Sequence, residues 1–415
     1  DYFKIEARKG ERLSVEVEGI RLGSSFWDPY LAILDSKKFE LATCDDSALL
    51  VQDPHASITI PEDGTYYIEV RDTSYAGNDR VHVGAFPRPT TVFPPGGKAG
   101  TATEVTFLGD IGGPIKQNIT IPETQSQEFP LFATLNGVSA PSPNIFRVSP
   151  LENVLEAGAN NNHAEAKASQ TASAVPIAFN GIIEAPNDED WFRFTAKKDQ
   201  KLDFQVLARA LRSPLDPVLE LFNADGGGLN GNDDNGPIPD SRIAGFTIPA
   251  DGDYYLRIRD QLGRGAADFI YRVEVSPPTA SLKAYLTRID RVDSQLRQLI
   301  PLPRGGRYAS LVNVDRTNCG GPVTWDTAAL PAGVAVEFDP LPDGITQQAL
   351  LFTAAPDAPL AAALARLTPK TAVPDQSFPA RFVQNIEFVQ GEPNQTPYVT
   401  SVQSTVPLAV TDEAP

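Results

Sequence analysis

The positions where this chain could do chemistry are mostly oxygen donors. The loop Gly226-Gly227-Gly228-Leu229-Asn230-Gly231-Asn232-Asp233-Asp234-Asn235-Gly236 places Asn232, Asp233 and Asp234 in succession on a glycine-rich turn. Hard cations such as Ca²⁺ take several oxygens from Asp, Asn, Glu and backbone carbonyls. Calcium is therefore one reading of the loop, and a solvated turn is the other, because Gly, Asn and Asp favour turns for local reasons. Earlier in the chain Asp45 and Asp46 form a similar pair, but Cys44 stands where the later loop has Asn232. Ca²⁺ prefers oxygen to sulfur, so the earlier pair reads as a weaker version of the same site, or as carboxylates that bond loop amides. Trp27, beside Asp28-Pro29, is a candidate ligand-binding ring that could stack on a sugar or a peptide; the alternative is packing on a neighbouring domain.

Enzymatic patterns are scarce. The three histidines are His55, His82 and His163, and none sits in a His-Glu-x-x-His pattern that would put two zinc ligands on one helical face. The sequence has no Gly-x-Ser-x-Gly elbow and no Gly-x-x-x-x-Gly-Lys phosphate loop. With 53 acidic residues, chance pairs of carboxylates are expected, and none stands out as a general acid. No catalytic residue is assigned, and the chain reads as a non-enzyme. His82 alternates with Val81 and Val83, as a solvent-facing strand residue does, and His163 lies in an Asn-rich stretch as a linker residue or a metal ligand.

These candidates hang on a repeat. Pro61-Glu62-Asp63-Gly64-Thr65-Tyr66-Tyr67-Ile68-Glu69-Val70-Arg71-Asp72 returns as Pro249-Ala250-Asp251-Gly252-Asp253-Tyr254-Tyr255-Leu256-Arg257-Ile258-Arg259-Asp260, displaced by 249 − 61 = 188 residues. Such a displacement marks a repeated domain with other material between the copies and is too long for a solenoid period. Alternating segments such as Leu13 to Glu18, Lys201 to Leu207, Val218 to Phe222 and Val334 to Phe338 read as strands. One tyrosine of each pair should enter the core, while the other covers an edge or bonds a loop. Pro87-Arg88-Pro89 reads as a stiff linker, and Ala- and Leu-rich Pro359 to Leu367 as one short helix.

The 415 residues imply several domains, and 37 prolines with 31 glycines favour short strands joined by turns. A net charge of −18 repels phosphate backbones, so nucleic acid is not an expected partner. No apolar run is long enough to span a bilayer. Asp1 aligns with Asp190, well inside the second copy, and Met is absent, so the chain reads as a processed fragment clipped within its first domain. Any targeting signal would then lie upstream. Cys44 and Cys319 fall in different expected domains and can pair only if those domains touch.

The repeated unit resembles the bacterial pre-peptidase C-terminal (PPC) domain, a jelly-roll β-sandwich related to the collagen-binding domain of clostridial collagenases. The residues that carry the likeness are Asp190-Trp191-Phe192-Arg193-Phe194, Asp216-Pro217 with its strand, Asn232-Asp233-Asp234 and Gly252-Asp253-Tyr254-Tyr255. In the first copy they are Asp28-Pro29, Cys44-Asp45-Asp46 and Gly64-Thr65-Tyr66-Tyr67. Thr90 to Pro150, with Pro94-Pro95-Gly96-Gly97 and an alternating strand to Gly109, resembles the immunoglobulin-like IPT/TIG domain, and Leu330 to Val334 resembles turns of bacterial immunoglobulin-like surface domains. The expected fold class is all-β, with tandem jelly-roll and immunoglobulin-like sandwiches. Their expected extents are 1–87, 88–150, 151–278 and 279–415.

In calcium-binding relatives an acidic, Asn-containing linker meets an acidic pair just before the first aromatic strand. The resemblance thus points to Glu156, Asn160 and Asn161 in the linker, with Asn187 and Asp190 at the strand, as calcium ligands. Gly158 and Ala159 replace the Glu and Pro of the family's pattern, and a plain linker with a local turn is the alternative. The family also implies an exported, extracytoplasmic, non-catalytic protein for binding or assembly at the bacterial surface or envelope, with an extracellular protein or glycan, or further copies of itself, as partner. Two other roles remain open: an accessory region of a secreted peptidase or glycosidase, and a structural spacer or filament subunit.

Overall fold

The structure is a computed structural model and describes residues 1–24, 26–72, 79–157, 160–235, 239–287, 299–327, 330–371, 378–391 and 396–412. Two compact units divide it, one of residues 1–22 with 27–278 and the other of 23–26 with 279–415. Strands dominate both, so the chain is all-β.

The larger unit opens with strands β1 (Tyr2–Ala7), β2 (Arg12–Glu18), β3 (Pro29–Leu34), β4 (Glu40–Cys44), β5 (His55–Thr59), β6 (Gly64–Asp72) and β7 (Arg80–Gly84). They form two facing sheets, β1-β6-β3-β4 and β5-β2-β7. Alternation decides which side chains meet. Val15, Val17, Leu31, Ile33, Tyr66 and Ile68 fill the core, while Glu16, Lys4 and Tyr67 point away from it. Tyr66 enters this core and its hydroxyl donates to the Glu62 carbonyl at 2.7 Å; Tyr254 does the same to Ala250 at 2.7 Å. The ring that enters the core is thus also the one that bonds the loop.

A smaller sandwich follows: β8 (Thr91–Phe93), β9 (Gly96–Lys98), β10 (Ala102–Leu108), β11 (Ile115–Thr120), β12 (Ser126–Leu131), β13 (Thr134–Leu135), β14 (Val138–Ser139) and β15 (Asn144–Ser149). Sheets β11-β10-β8 and β12-β15-β9 enclose Val92, Val105, Phe107, Phe146 and Val148. Gly97 lies within β9, where a Cβ would press on the tip of the Ile121 side chain and on the Phe146 ring.

The second copy comprises β16 (Asn153–Leu155), helix α1 (His163–Ser169), β17 (Ser173–Ala174), β18 (Ile177–Ile182), β19 (Glu189–Ala196), β20 (Lys201–Leu207), β21 (Pro217–Asn223), β22 (Gly228–Asn232), β23 (Arg242–Thr247), β24 (Gly252–Asp260) and β25 (Ile270–Ser276). Its sheets are β16-β18-β25-β20-β23 and β17-β19-β24-β21-β22. Phe179, Phe192, Phe194, Phe204 and Tyr271 make its core the more aromatic of the two. The Asn-rich stretch expected to be a linker contains α1, which begins where Asn162 accepts the Glu165 amide as an N-cap.

Pro87-Arg88-Pro89 is not a solvated linker. Arg88 is 2 % exposed, and its Nη1 donates to Glu16 Oε2 and to the Ser142 carbonyl, both at 2.8 Å. Ser142 Oγ also donates to Glu16, and Arg21 approaches the same carboxylate at 3.2 Å. Burial pushes the Glu16 carboxyl upward, but Arg88, Ser142 and Arg21 outweigh it and hold Glu16 below its ordinary range. On the other side of the middle sandwich, Arg147 clasps Glu274 at 3.1 and 3.0 Å. The buried Arg272 bonds Glu274, Asn153, Asn180 and Ser149 at 2.7 to 3.0 Å. A charge buried this deeply is tolerated only with partners in place, so each network fixes how one sandwich meets the next.

The smaller unit packs Leu282, Val312, Val314, Trp325, Leu350, Phe352 and Leu408 into its own core. Strands Ser281–Leu286, Arg307–Thr317, Val334–Glu337, Gln347–Ala354 and Ala380–Phe382 share one sheet. Ala361–Ala365, within the stretch expected to be a helix, is instead a strand hydrogen-bonded along Val406–Thr411. Intrinsic Ala and Leu propensity yields here to a ladder partner distant in sequence, with Ala361 opposite Val410 and Ala365 opposite Val406.

Candidate acidic cation site in the second copy

Four carboxylates from separate elements converge where the chain enters the second copy. Glu156 follows β16, and its backbone amide donates to the Asn180 carbonyl of β18. Its Oε2 accepts the Ile182 amide at 3.0 Å. Asp190, at the start of β19, is fully buried because its side chain points between the sheets. There Oδ1 accepts Asn160 Nδ2 at 2.9 Å and Oδ2 accepts the Tyr271 hydroxyl at 2.6 Å. The same Asn160 amide lies 3.3 Å from Glu156 Oε1, and Asn160's carbonyl accepts the Trp191 amide. Asp188 accepts the Asn161 side-chain amide at 3.4 Å, and its other oxygen accepts the Glu184 amide at 3.0 Å.

The charges in this cluster are uncompensated. Among the described residues no Lys or Arg forms an ion pair with Glu156, Glu184, Asp188 or Asp190. Burial, reinforced by the Glu156 and Asp188 carboxylates, pushes Asp190 up to about 9, against the opposing Tyr271 hydrogen bond. Burial and the same two neighbours raise Glu184 to about 7. Tyr271 is driven upward too, by burial first and then by Asp190 and Glu156. The cluster therefore holds protons at neutral pH where a cation could replace them. An all-oxygen donor set of carboxylates and amide carbonyls fits a hard divalent ion. Among the described residues no three acidic, His or Cys side chains are already gathered as a metal cage, so the four carboxylates would have to close around an ion.

Of the residues expected as ligands, Glu156, Asn160, Asn161 and Asp190 are brought together. Gly158 and Ala159 lie outside the described residues. Asn187 instead adopts φ 63° and donates its amide to the Gly263 carbonyl. Asn232 accepts the Arg242 amide at 2.8 Å, and the Asp233 carbonyl accepts the Ser241 hydroxyl at 3.3 Å. Asp234 acts on Asp216, whose carboxyl is raised by burial and then by that charge. In the first copy Asp46 and Asp45 act likewise on Asp28, again after burial, and Asp28 Oδ1 is buried without a partner. Gly236 of the later loop lies outside the described residues.

Trp27 is not an exposed stacking ring. It is 7 % exposed and belongs to the first core, against Gly19, where any Cβ would overlap its ring. Leu215, its counterpart, is also buried, so the larger ring uses the space that Gly19 leaves. Glu184 and Tyr271 were not anticipated. A tyrosine in the otherwise apolar run Phe269-Ile270-Tyr271 was the available signal, since a buried hydroxyl needs a partner. His163 stands 4.4 Å from the Tyr255 ring and 5.8 Å from Trp191, packing α1 onto the sheet away from the carboxylates.

A second feature of the larger unit is a cavity of about 400 Å³ where its three sandwiches meet, bordered by Cys44, His55, Arg88, Arg212 and Asp268. Burial, then the Arg88 charge, lowers His55 to about 4, and burial raises the Cys44 thiol. Both cysteines are free thiols. No helix is long and apolar enough to cross a membrane among the described residues.

The family model of the bacterial pre-peptidase C-terminal domain matches residues 1–72 and 188–260. Among solved structures, the pre-peptidase C-terminal domain of a Bacillus anthracis collagenase is 17 % identical over 26 % of this chain and 96 % of its own, with a TM-score of 0.21. The M60 catalytic domain with two CBM51 domains of Clostridium perfringens ZmpB matches 66 % of this chain and 33 % of its own length at 10 % identity and a TM-score of 0.18. The tandem CBM22 domains of Paenibacillus barcinonensis Xyn10C match 66 % and 82 % at 8 % identity and 0.16. No curated protein matches. The unit repeated at residues 1–72 and 188–260 is thus similar, in both of its copies, to the bacterial pre-peptidase C-terminal domain.

Proposed function

We propose that this chain is a non-catalytic binding and assembly region of an exported bacterial protein, acting outside the cytoplasm on an extracellular or envelope protein or glycan. The observation that carries this reading is the pair of buried arginine networks at Arg88 and Arg272. They hold two accessory domains in fixed relation through the middle sandwich, the geometry needed to present two surfaces to one extended ligand. Calcium is the proposed ion of the Glu156, Glu184, Asp188 and Asp190 cluster, where it would replace the protons that burial now retains. The bacterial proteins named above include a collagenase and carbohydrate-binding modules, which favours an accessory role beside a hydrolase as the form this function takes.

The test is retention of the whole chain on immobilised collagen, glycans and cell-wall material, with and without EDTA. Specific retention on one matrix supports binding. Absence of retention on all of them, with the chain stably folded, would favour the spacer role instead.

A further inference from the structure

The cavity of about 400 Å³ beside Arg88 falls within the size range of small-molecule sites, about 300–1,000 Å³. Its wall on the first copy comes from β4 and β5 and the segment between them. Ala56 of β5 enters the first core, so the neighbouring His55 points the other way, toward the cavity. The second copy shows a different use of this position. His55 stands opposite Glu16 as Arg242 stands opposite Gln205, and the Arg242 side chain bonds Asp203 at 3.0 Å. Among the described residues the His55 ring has no hydrogen bond.

Ser47 is a second polar group at this wall whose bonding capacity is unused. It is 8 % exposed and precedes the one-turn helix Ala48–Leu50, yet its hydroxyl makes no capping bond. A buried polar group without a partner costs free energy. Burial and then Arg88 keep the His55 ring neutral, so the imidazole, like the hydroxyl, can donate one hydrogen bond and accept another. The charges at the wall do not favour an ion of either sign. Arg88 is matched by Glu16, Arg212 lies 3.4 Å from Glu128, and Asp46 stands at the solvent-exposed rim. Burial raises the Asp268 carboxyl against a hydrogen bond with Thr90. An anion would meet Asp46 and Asp268, and a cation would meet Arg88 and Arg212. Apolar surface from Leu49, Ile111 and Pro214 completes the lining.

We propose that this cavity binds one uncharged, polyhydroxylated ring, a sugar residue. His55 and Ser47 exchange hydrogen bonds with its hydroxyls, and Ile111 and Pro214 pack on its C–H face. The rim carries the exposed Asp46, Ala48 and Ile111, so a free monosaccharide and the end residue of a glycan would enter by the same route. This assignment rests on the glycan form of the binding function proposed above and gives it a site.

The test adds glucose, galactose, mannose and their disaccharides to the whole chain and follows the ring resonances of its three histidines by NMR. Saturable shifts of His55, with His82 and His163 unmoved, are expected for at least one neutral sugar. Ala48→Trp, which puts an indole at the exposed mouth, should weaken binding by roughly tenfold or more, and Ser47→Ala by roughly tenfold. An unchanged urea midpoint in each variant ties the loss to the cavity. Equal affinity for monosaccharide and disaccharide assigns a free sugar, and tighter binding of the disaccharide assigns a glycan end; either supports the site. No saturable His55 shift at millimolar sugar would overturn it, as would preference for glucuronate or glucosamine over every neutral sugar. If Ala48→Trp leaves retention on a glycan matrix intact, this site fails while the broader binding function stands. His55 shifts without retention on any matrix would do the reverse.

Discussion

The two copies of the repeated unit share their strands and differ in what surrounds them. In the second, α1 covers Trp191 and Tyr255, β17 borders β19, and β18 closes the opposite sheet. In the first, Tyr2 is 58 % exposed where Trp191 is 6 %. In the second copy, elements outside the repeated unit thus decide which of its faces are buried. The acidic cluster illustrates the same point. Asp190 acquires its character from Glu156 and Asn160, which lie ahead of the repeated unit in the chain.

The junctions offer the strongest way to break this comparison. Arg88→Ala leaves Glu16 buried without its fully enclosed partner, and a loss of about 3–5 kcal/mol is expected. Arg272→Ala should cost less, because Glu274 keeps Arg147 at 3.0 Å. Urea unfolding of both variants checks the order, and equal losses would show that the junctions are energetically alike. Trp27→Ala should cost a similar ~3–5 kcal/mol through a core cavity. An exposed ring would change the unfolding midpoint very little.

The next contrast is electrostatic. Folded Asp190 keeps its proton to about 9, whereas the unfolded carboxyl releases it near the ordinary 3.8. The unfolded state therefore binds fewer protons between these values, and the contribution of Asp190 to stability is lost as pH rises through that window. Asp190→Asn should flatten this decline and raise the calcium-free melting temperature at mildly alkaline pH, by roughly 2–4 °C for each kcal/mol recovered. It should also abolish any shift between calcium and EDTA. If native protein shows no such shift at millimolar calcium, the ion is removed from the account.

The smallest effect concerns the cover on the second copy. Asn162→Ala removes the N-cap of α1 and should cost about 1 kcal/mol. Increased quenching of Trp191 fluorescence would show the helix loosening from its sheet, whereas unchanged quenching would mean that packing by His163 holds it alone.

Much of the fold was legible in the chain. Alternation located most strands, and the repeated Asp-Gly-x-Tyr-Tyr segments fixed the same turn and core ring in both copies. The grouping of Glu156, Asn160, Asn161 and Asp190 was legible too, since the fold brings these residues together. What escaped depended on distant partners. Trp27 read as a surface ring because its fit against Gly19 cannot be seen from its neighbours. Arg88 between two prolines had the composition of a linker, and the carboxylate that buries it lies 72 residues away.

Local sequence determined the period-two burial of each strand, the turns and the existence of two related sandwiches, because these depend on backbone geometry and on residues a few positions apart. Tertiary structure alone decided which carboxylates lose their water, which arginines become buried and which strands find ladder partners. Desolvation and edge pairing belong to the space between elements, and only the folded chain defines that space.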